Sequence, residues 1–236
     1  MIKNERFDKI LQILESQHYS SIDNLAKLLY VAPVTIRRDL KKLEEDGLVS
    51  TCYGGVSLPQ NVNTDTPWIV RKNMNNVAKK LIAKRAASII PDNSTIFLDG
   101  SSTVSYIIGH IKPEQNITII TNGIHALSLA AQQHLKTYTT GGRLVDNSLV
   151  FVGSLALKSI NSLHADLMFF SSNGISADGQ ITDQSDAETE LRLAMLANSD
   201  KHYFLCDSSK LNKSFLFHVC SVSELDDVIC DIPVSF

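Results

Sequence analysis

The sequence predicts two unlike halves: a small three-helix unit closed by a hairpin, then an α/β domain built on a mainly parallel sheet. Three observations carry this expectation. Apolar residues recur at helical spacing through the first 48 positions, a Gly-Gly pair follows them, and from Asn76 onward short apolar runs alternate with helical patterns. At 236 residues the chain is long enough for a small domain and a medium one, each with its own core.

The first helix is expected after Asn4, a good N-cap, with Phe7, Ile10, Leu11 and Leu14 on its inner face. The second spans roughly residues 21–29, with Ile22, Leu25, Ala26 and Leu29 buried. The turn Tyr30-Val31-Ala32 leads into Pro33, favoured at the first position of a third helix. There Ile36, Leu40 and Leu43 point inward, and at 100° per residue the opposite surface belongs to Val34, Arg38, Lys41 and Glu45. Thr35 and Lys42 flank that surface on one side and Arg37 on the other. Gly47 ends the helix, and LVSTCYGGVSL alternates toward a two-stranded hairpin.

Helix, turn, helix and trailing hairpin is the layout of a winged helix-turn-helix, whose last helix enters the major groove of DNA. The charge balance must be read locally, because the chain carries a formal net charge of −3. Residues 1–58 hold eight basic and eight acidic side chains, and the remainder carries the deficit. Four cations nevertheless gather on the third helix: Arg37 and Arg38 suit the guanine edge, while Lys41 and Lys42 suit phosphate. The plainer reading is a solvated face with Asp39–Lys42 and Lys41–Glu45 pairs; the trihelical context favours the DNA-contact reading.

Residues 59–75 are polar and begin with a proline, as a linker would; Trp68 is expected to dock this segment on a neighbouring surface. Beyond them, helices at about 76–90, 102–111, 124–134, 154–163 and 186–199 separate the runs STIFLD, NITIIT, LKTYTT, DLMFFSS, HYFLCD and DDVICD. Such alternation predicts a Rossmann-like parallel sheet covered on both faces. Ligands bind such sheets where strands end and helices begin. Those ends read DGSST, TNG, TGGR, SSNG and DSSK, rich in glycine, hydroxyls and amides. Ser101, Ser102 and Thr103 would offer hydroxyls and N–H groups to an anion such as phosphate, with Lys210 and Arg143 as available cations.

Other chemistry finds little support. No GxGxxG follows the first strand of the second half and no GxxxxGK[ST] occurs, so neither a dinucleotide cofactor nor a nucleoside triphosphate is expected. The seven histidines lack metal-ligand spacing, and Cys52, Cys206, Cys220 and Cys230 are read as reduced thiols filling packed space. No cofactor or metal is expected. A charged N-terminus and the lack of a long apolar run point to a cytoplasmic chain without membrane contact.

The stretch TIRRDLKKLEEDGLV followed by YGGV resembles the helix-turn-helix signature of the DeoR family of bacterial transcriptional regulators. FLDGSST, ITNG, TGGR, Gly153, the run from Asp166 through GISADGQIT, and CDSSK resemble the same family's sensor domain. The resemblance implies a winged helix-turn-helix over residues 1–58, a linker over 59–75 and a sugar-phosphate-isomerase-like sensor over 76–236. It also implies a homo-oligomer (dimer or tetramer) that binds operator DNA as a repressor under control of a phosphorylated sugar. Val34, Thr35, Arg37, Arg38, Lys41 and Lys42 would meet DNA. Asp99, Gly100, Ser101, Ser102, Thr103, Thr121, Asn122, Gly142, Asn173 and Lys210 would meet the effector. Three positions depart from the family pattern: Ala32 stands where Ser caps the third helix, Ser50-Thr51-Cys52 lacks an arginine before the hairpin, and Asn173 replaces a common Gly. The rival expectation is a sugar-phosphate isomerase with an accessory DNA-binding unit, for which Asp99, Glu188 or Asp207 would be the base.

Overall fold

The computed structural model describes residues 3–17, 19–52, 55–57 and 67–236. The chain forms two compact units, Met1–Asn76 and Val77–Phe236. The first comprises α1 (Lys3–Gln17), β1 (Tyr19–Ser21), α2 (Ile22–Leu29), α3 (Pro33–Glu45), β2 (Ser50–Cys52), β3 (Gly55–Ser57) and α4 (Trp68–Asn73). Helix α1 starts at Lys3, so Asn4 lies inside it rather than capping it. Ser21 caps α2 by accepting the Asn24 N–H at 3.2 Å. Tyr30, in the left-handed region at φ 55°, then turns the chain into α3.

The three helical stripes meet in one core. Ile10, Leu11 and Leu14 of α1 pack with Leu25, Ala26 and Leu29 of α2 and with Ile36, Leu40 and Leu43 of α3. Val56 of the hairpin and Val70 of α4 complete it. Each such side chain taken from water contributes about 1.5–3 kcal/mol before the entropy of ordering is subtracted. Asp39 belongs to the same inward face, three residues after Ile36 and four before Leu43, and is 1% exposed. It therefore accepts two bonds from one guanidinium edge of Arg6 in α1, from Nε and from Nη2 at 3.0 Å, and does not pair with Lys42 as the helix spacing alone suggests. Lys42 pairs instead with Asp46 at 2.9 Å and Glu45 at 3.7 Å.

Strands β2 and β3 pair antiparallel as expected, and β1 adds a third strand in the order β1-β3-β2. Of the expected Gly-Gly turn, Gly54 lies outside the described residues, as do Tyr53 and most of the expected linker. Within the linker's last part, residues 68–73 form α4, whose Trp68 is 2% exposed.

The second unit comprises α5 (Asn76–Ser88), β4 (Thr95–Leu98), a 3₁₀ helix (Val104–His110), β5 (Thr118–Thr121), α6 (Ile124–Gln132), β6 (Lys136–Thr139), β7 (Arg143–Val145), β8 (Val150–Val152), α7 (Ser154–Asn161), β9 (Ala165–Phe170), β10 (Gly174–Ile175), β11 (Gln180–Asp183), α8 (Asp186–Ala197), β12 (Ser199–Cys206), β13 (Phe217–Ser221) and β14 (Asp227–Cys230). All six expected apolar runs enter one parallel sheet of order β14-β12-β9-β4-β5-β6. Alternate residues face opposite layers. Ile96, Leu98, Leu167, Phe169 and Leu205 pack under α5, the 3₁₀ helix and α6. Phe97, Met168, Phe170, Phe204 and Cys206 pack with residues of α7, α8 and the short strands.

Two differences from the sequence expectation stand out. The segment near 102–111 is a 3₁₀ helix: β-branched Val104, Ile107 and Ile108, with Gly109, are poor α-formers, and Ser105 Oγ bonds the Ser102 carbonyl at 2.9 Å. A hairpin β7-β8 and a three-stranded sheet β10-β11-β13 are added to the main sheet.

Ala32 leaves a specific defect. It holds the extended N-cap conformation at φ −66° and ψ 145° with no side-chain acceptor for the first turn of α3. Ala32→Ser should supply that acceptor and stabilise the first unit by about 1 kcal/mol, seen as a higher denaturation midpoint in urea with unchanged m-value. An unchanged midpoint would mean that Pro33 already satisfies the helix start.

Candidate functional site

The outer face of α3 is basic over its first three turns because Asp39 is turned inward, the helix's other acids, Glu44 and Glu45, lying at its C-terminal end. Val34, Arg37, Arg38, Lys41 and Lys42 are exposed, and Thr35 is half-buried. Neither Arg37 nor Arg38 makes a salt bridge among the described residues. Tyr30, 95% exposed, stands in the turn before α3, a position that helical periodicity does not single out. The hairpin is tied to α3 by Glu44, whose Oε1 accepts the Thr51 N–H at 2.8 Å and the Thr51 hydroxyl. These bonds favour the ionised carboxylate and hold Glu44 below its ordinary pKa.

In the second unit the strand ends gather a buried polar cluster. Gly100 and Gly123 let the loops after β4 and β5 touch: a Cβ on Gly123 would stand 2.7 Å from the Gly100 Cα, and one on Gly100 would stand 2.2 Å from Val150 Cγ1. Asp99, 2% exposed, accepts the Ser101 N–H at 3.1 Å, the Ser171 N–H at 3.3 Å and Arg192 Nε at 2.9 Å. In each of these three bonds Asp99 is the acceptor. Ser101, Ser102 and Thr103 are buried in the turn beyond, where Thr103 Oγ1 has no hydrogen-bond partner among the described residues. Asn122 is 4% exposed; its Nδ2 donates to the Phe151 carbonyl at 3.2 Å while its Oδ1 has no partner among the described residues. Thr121 accepts the Gly123 N–H and shapes the same loop.

Lys210 Nζ donates to Ser171 Oγ at 2.7 Å and to the Ser172 carbonyl at 2.6 Å. A second lysine, Lys79 of α5, is 4% exposed and donates to Ser102 Oγ at 3.2 Å. It is Lys79, not Arg143, that reaches the Ser101–Thr103 turn; Arg143 is exposed on β7. Burial pushes the Asp207 carboxyl up, but Lys210, Lys79 and the Ser209 donors outweigh it and hold the group below its ordinary value. Two expected contacts lie apart from these bonds. Gly142, at φ 117°, packs so that a Cβ would meet the Val152 carbonyl at 2.6 Å, and Asn173 Oδ1 accepts the Gln184 N–H at 3.3 Å.

Arg192 of α8 joins the cluster's acids. Besides Asp99, its Nη1 donates to Asp183 at 2.9 Å and its Nη2 to Glu188 at 3.1 Å. Burial opposes the guanidinium charge, yet Asp183, Asp99 and Glu188 overcome it and raise its pKa. Burial likewise pushes Asp183 up, and Arg192, the Ser185 N–H, the Ser172 hydroxyl and Lys210 bring it below its ordinary value. Asp99, Gly100, Asn122, Glu188 and Arg192 close together here beside Leu191 and Met195, leaving no room for a water molecule between them. Lys79, Asp183 and Arg192 escape the motif reading because they lie in no strand-end motif. Their signal is a charge on an apolar stripe: Lys79 precedes Ile82, Ala83 and Ala86, and Arg192 sits between Leu191 and Met195.

Residues 6–62 match the family model described as a DeoR-like helix-turn-helix domain, and residues 74–232 match the DeoR C terminal sensor domain. The L-fucose operon activator of Haemophilus influenzae is 31% identical over 97% of this chain and 92% of that protein. The glycerol-3-phosphate regulon repressor of Escherichia coli is 29% identical over 99% of this chain and 92% of its own length. A solved chain of the tetrameric eIF2B-beta2-delta2 complex from C. thermophilum covers 67% of this chain and 56% of that one, with a TM-score of 0.51 at 17% identity. That likeness concerns the fold alone.

The depressed carboxyls make an acid-stability prediction. A group lowered in the folded state contributes stability that is present above its unfolded pKa, about 3.9 for Asp, and is lost as pH falls through the folded value. The second unit should therefore keep this contribution at neutral pH and lose it below about pH 4. Asp183→Asn, which leaves Asp99 and Glu188 to balance Arg192, should flatten that acid limb. Melting midpoints across the range provide the check, and an equally steep acid limb in the variant would contradict it.

Proposed function

This chain belongs to the DeoR family of transcriptional regulators, and from that membership we propose that it binds operator DNA through α3 under the control of a phosphorylated sugar. It acts as a repressor of a sugar-metabolism operon. Val34, Thr35, Arg37, Arg38, Lys41 and Lys42 make the DNA contacts. Arg37 and Arg38 read base edges, while the lysines neutralise phosphate. One recognition helix reads few base pairs, so the working species is a homo-oligomer, dimer or tetramer, on repeated half-sites.

The observation that carries the effector reading is the convergence of Lys79 and Lys210 on the Ser101–Thr103 turn and its neighbours. Buried hydroxyls, two ammonium groups and a Thr103 oxygen without a partner among the described residues suit a phosphoryl group far better than they suit packing. Asp99, Gly100, Thr121 and Asn122 hold the adjoining loops, and Gly142 and Asn173 border them. The relatives' names support a sugar-related signal: one is an L-fucose operon activator, another a glycerol-3-phosphate regulon repressor.

The isomerase reading is the weaker one on chemical grounds. Proton abstraction next to a carbonyl needs a carboxylate that is available and basic enough. Asp99 and Glu188 are committed to Arg192, and Asp207 is held below its ordinary pKa. Sensing without turnover fits these groups.

Two outcomes test the proposal. Arg37→Ala or Arg38→Ala should weaken specific operator binding by roughly 1–3 kcal/mol, and Lys42→Ala should lower affinity evenly across sequences and reduce the salt slope. Equal operator binding by the double arginine variant and wild type would take α3 out of the interface. Separately, Lys210→Ala should weaken sugar-phosphate binding by roughly tenfold or more and leave ligand-free operator binding intact. By linkage, an effector that loosens DNA binding must bind the DNA complex more weakly by the same factor. An unchanged effector response in the variant would misplace the pocket, and sustained aldose–ketose interconversion would restore the enzyme reading.

A further inference from the structure

Tyr30 holds an unfavourable backbone conformation without gain inside its own unit. Its φ of 55° and ψ of 43° place it in the left-handed region, where a Cβ crowds the following carbonyl oxygen. Seven described residues other than glycine take a positive φ, and five of them are asparagine or histidine, types that tolerate it. Leu149 is half-buried and bonded at both its N–H and its carbonyl, so its surroundings offset the strain. Tyr30 is the exception: at 95% exposure its ring buries almost nothing. Its N–H bonds the Ala26 and Lys27 carbonyls and closes α2, which glycine or asparagine would do equally well.

A large side chain kept on a strained, exposed turn points to a partner outside the chain. The surroundings give that partner's chemistry. Tyr30 lies four residues before Val34, itself 68% exposed in the first turn of α3, and the same helix turns Arg37, Arg38 and Lys41 outward. An aromatic ring with a hydroxyl donor beside these cations suits a polyanion. Because Tyr30 belongs to the turn and not to the helix that enters the groove, it stands at the groove's rim, where the sugar-phosphate backbone runs.

Resting on the operator-binding reading above, we infer that Tyr30 is a backbone contact of the DNA interface, its phenol hydroxyl donating to a phosphate oxygen and its ring packing on the adjoining deoxyribose. The contact positions α3 and carries no sequence information. A neutral side chain displaces no counterion, so Tyr30 adds affinity without adding to the salt dependence, unlike Lys41.

The test uses the full chain, duplexes that it enriches from a random-sequence pool, and scrambled duplexes of the same composition, with binding followed by fluorescence anisotropy over a range of salt. Tyr30→Asn suits the left-handed turn, so its urea midpoint should equal or exceed that of wild type. Its affinity for both duplexes should nevertheless fall on the order of tenfold, with an unchanged salt slope. Tyr30→Phe keeps the ring and should show most of that loss; full affinity in it would remove the bond to phosphate. A lowered midpoint in Tyr30→Asn would assign the ring to folding. Wild-type affinity in Tyr30→Asn, with the double arginine variant impaired, would overturn the inference and spare the operator reading. A loss confined to the enriched duplex would make Tyr30 a base contact, and altered sedimentation of DNA-free Tyr30→Asn would give the ring to a second copy of the chain. Failure of wild type to enrich any duplex would overturn both readings.

Discussion

Arg192 is buried with its nitrogens committed to three carboxylates drawn from separate parts of the chain. Asp99 ends the approach of β4, Asp183 closes β11 and Glu188 lies one turn earlier on α8. Removing such groups from water costs several kcal/mol each, and only close, well-aligned partners offset that cost. The arrangement therefore fixes geometry more than it adds net stability. It ties the six-stranded sheet to the small antiparallel sheet through Asp99 and Asp183, and it orients the loops that hold Ser171 and Ser172. Lys210 bonds those same serines, so the position of the proposed effector contact depends on a guanidinium it does not touch.

The front unit uses the same device at smaller scale. The Arg6–Asp39 pair joins α1 to α3 inside an otherwise apolar core. Because Asp39 is spent inward, the outer surface of α3 keeps Arg37, Arg38, Lys41 and Lys42 with less acid between them. This resolves how a chain of net charge −3 can present a basic helix. The Glu44–Thr51 bonds hold the hairpin strand against that helix where an arginine is absent.

Much of this was legible in the sequence, because period and turn chemistry are local. The three front stripes reappear as one core, and the six apolar runs become the six parallel strands. The strand-end motifs pointed to Asp99, Ser101–Thr103, Asn122 and Lys210, and loop geometry brings Asp99 to Ser101 and Ser171, which Lys210 also bonds. Lys79 and Arg192 were hidden because each sits on a helix interior, where a long charged side chain reads as surface unless its apolar neighbours are aligned with it. The short strands escaped notice for another reason. Gly174–Ile175 is too brief to show alternation, although the Asp178-Gly179 pair, with Gly179 at φ 80°, carries a hairpin signal that could have exposed β10 and β11.

The strand order has a consequence for how the molecule is made. Strand β4 lies in the middle of the sheet, yet one of its neighbours is β9, about 70 residues later by the Ile96–Leu167 register, and β9 in turn waits for β12. Parallel neighbours so far apart in sequence close slowly, since loop entropy is lost before pairing rewards it. During synthesis the first unit has the described members of its core by Met74, whereas Asp99 lacks Arg192 until that residue leaves the ribosome. A nascent chain thus carries a completed helical head while the sheet behind it is still unable to close. The interval between those two events, set by topology alone, is when the half-made second unit has most need of a chaperone.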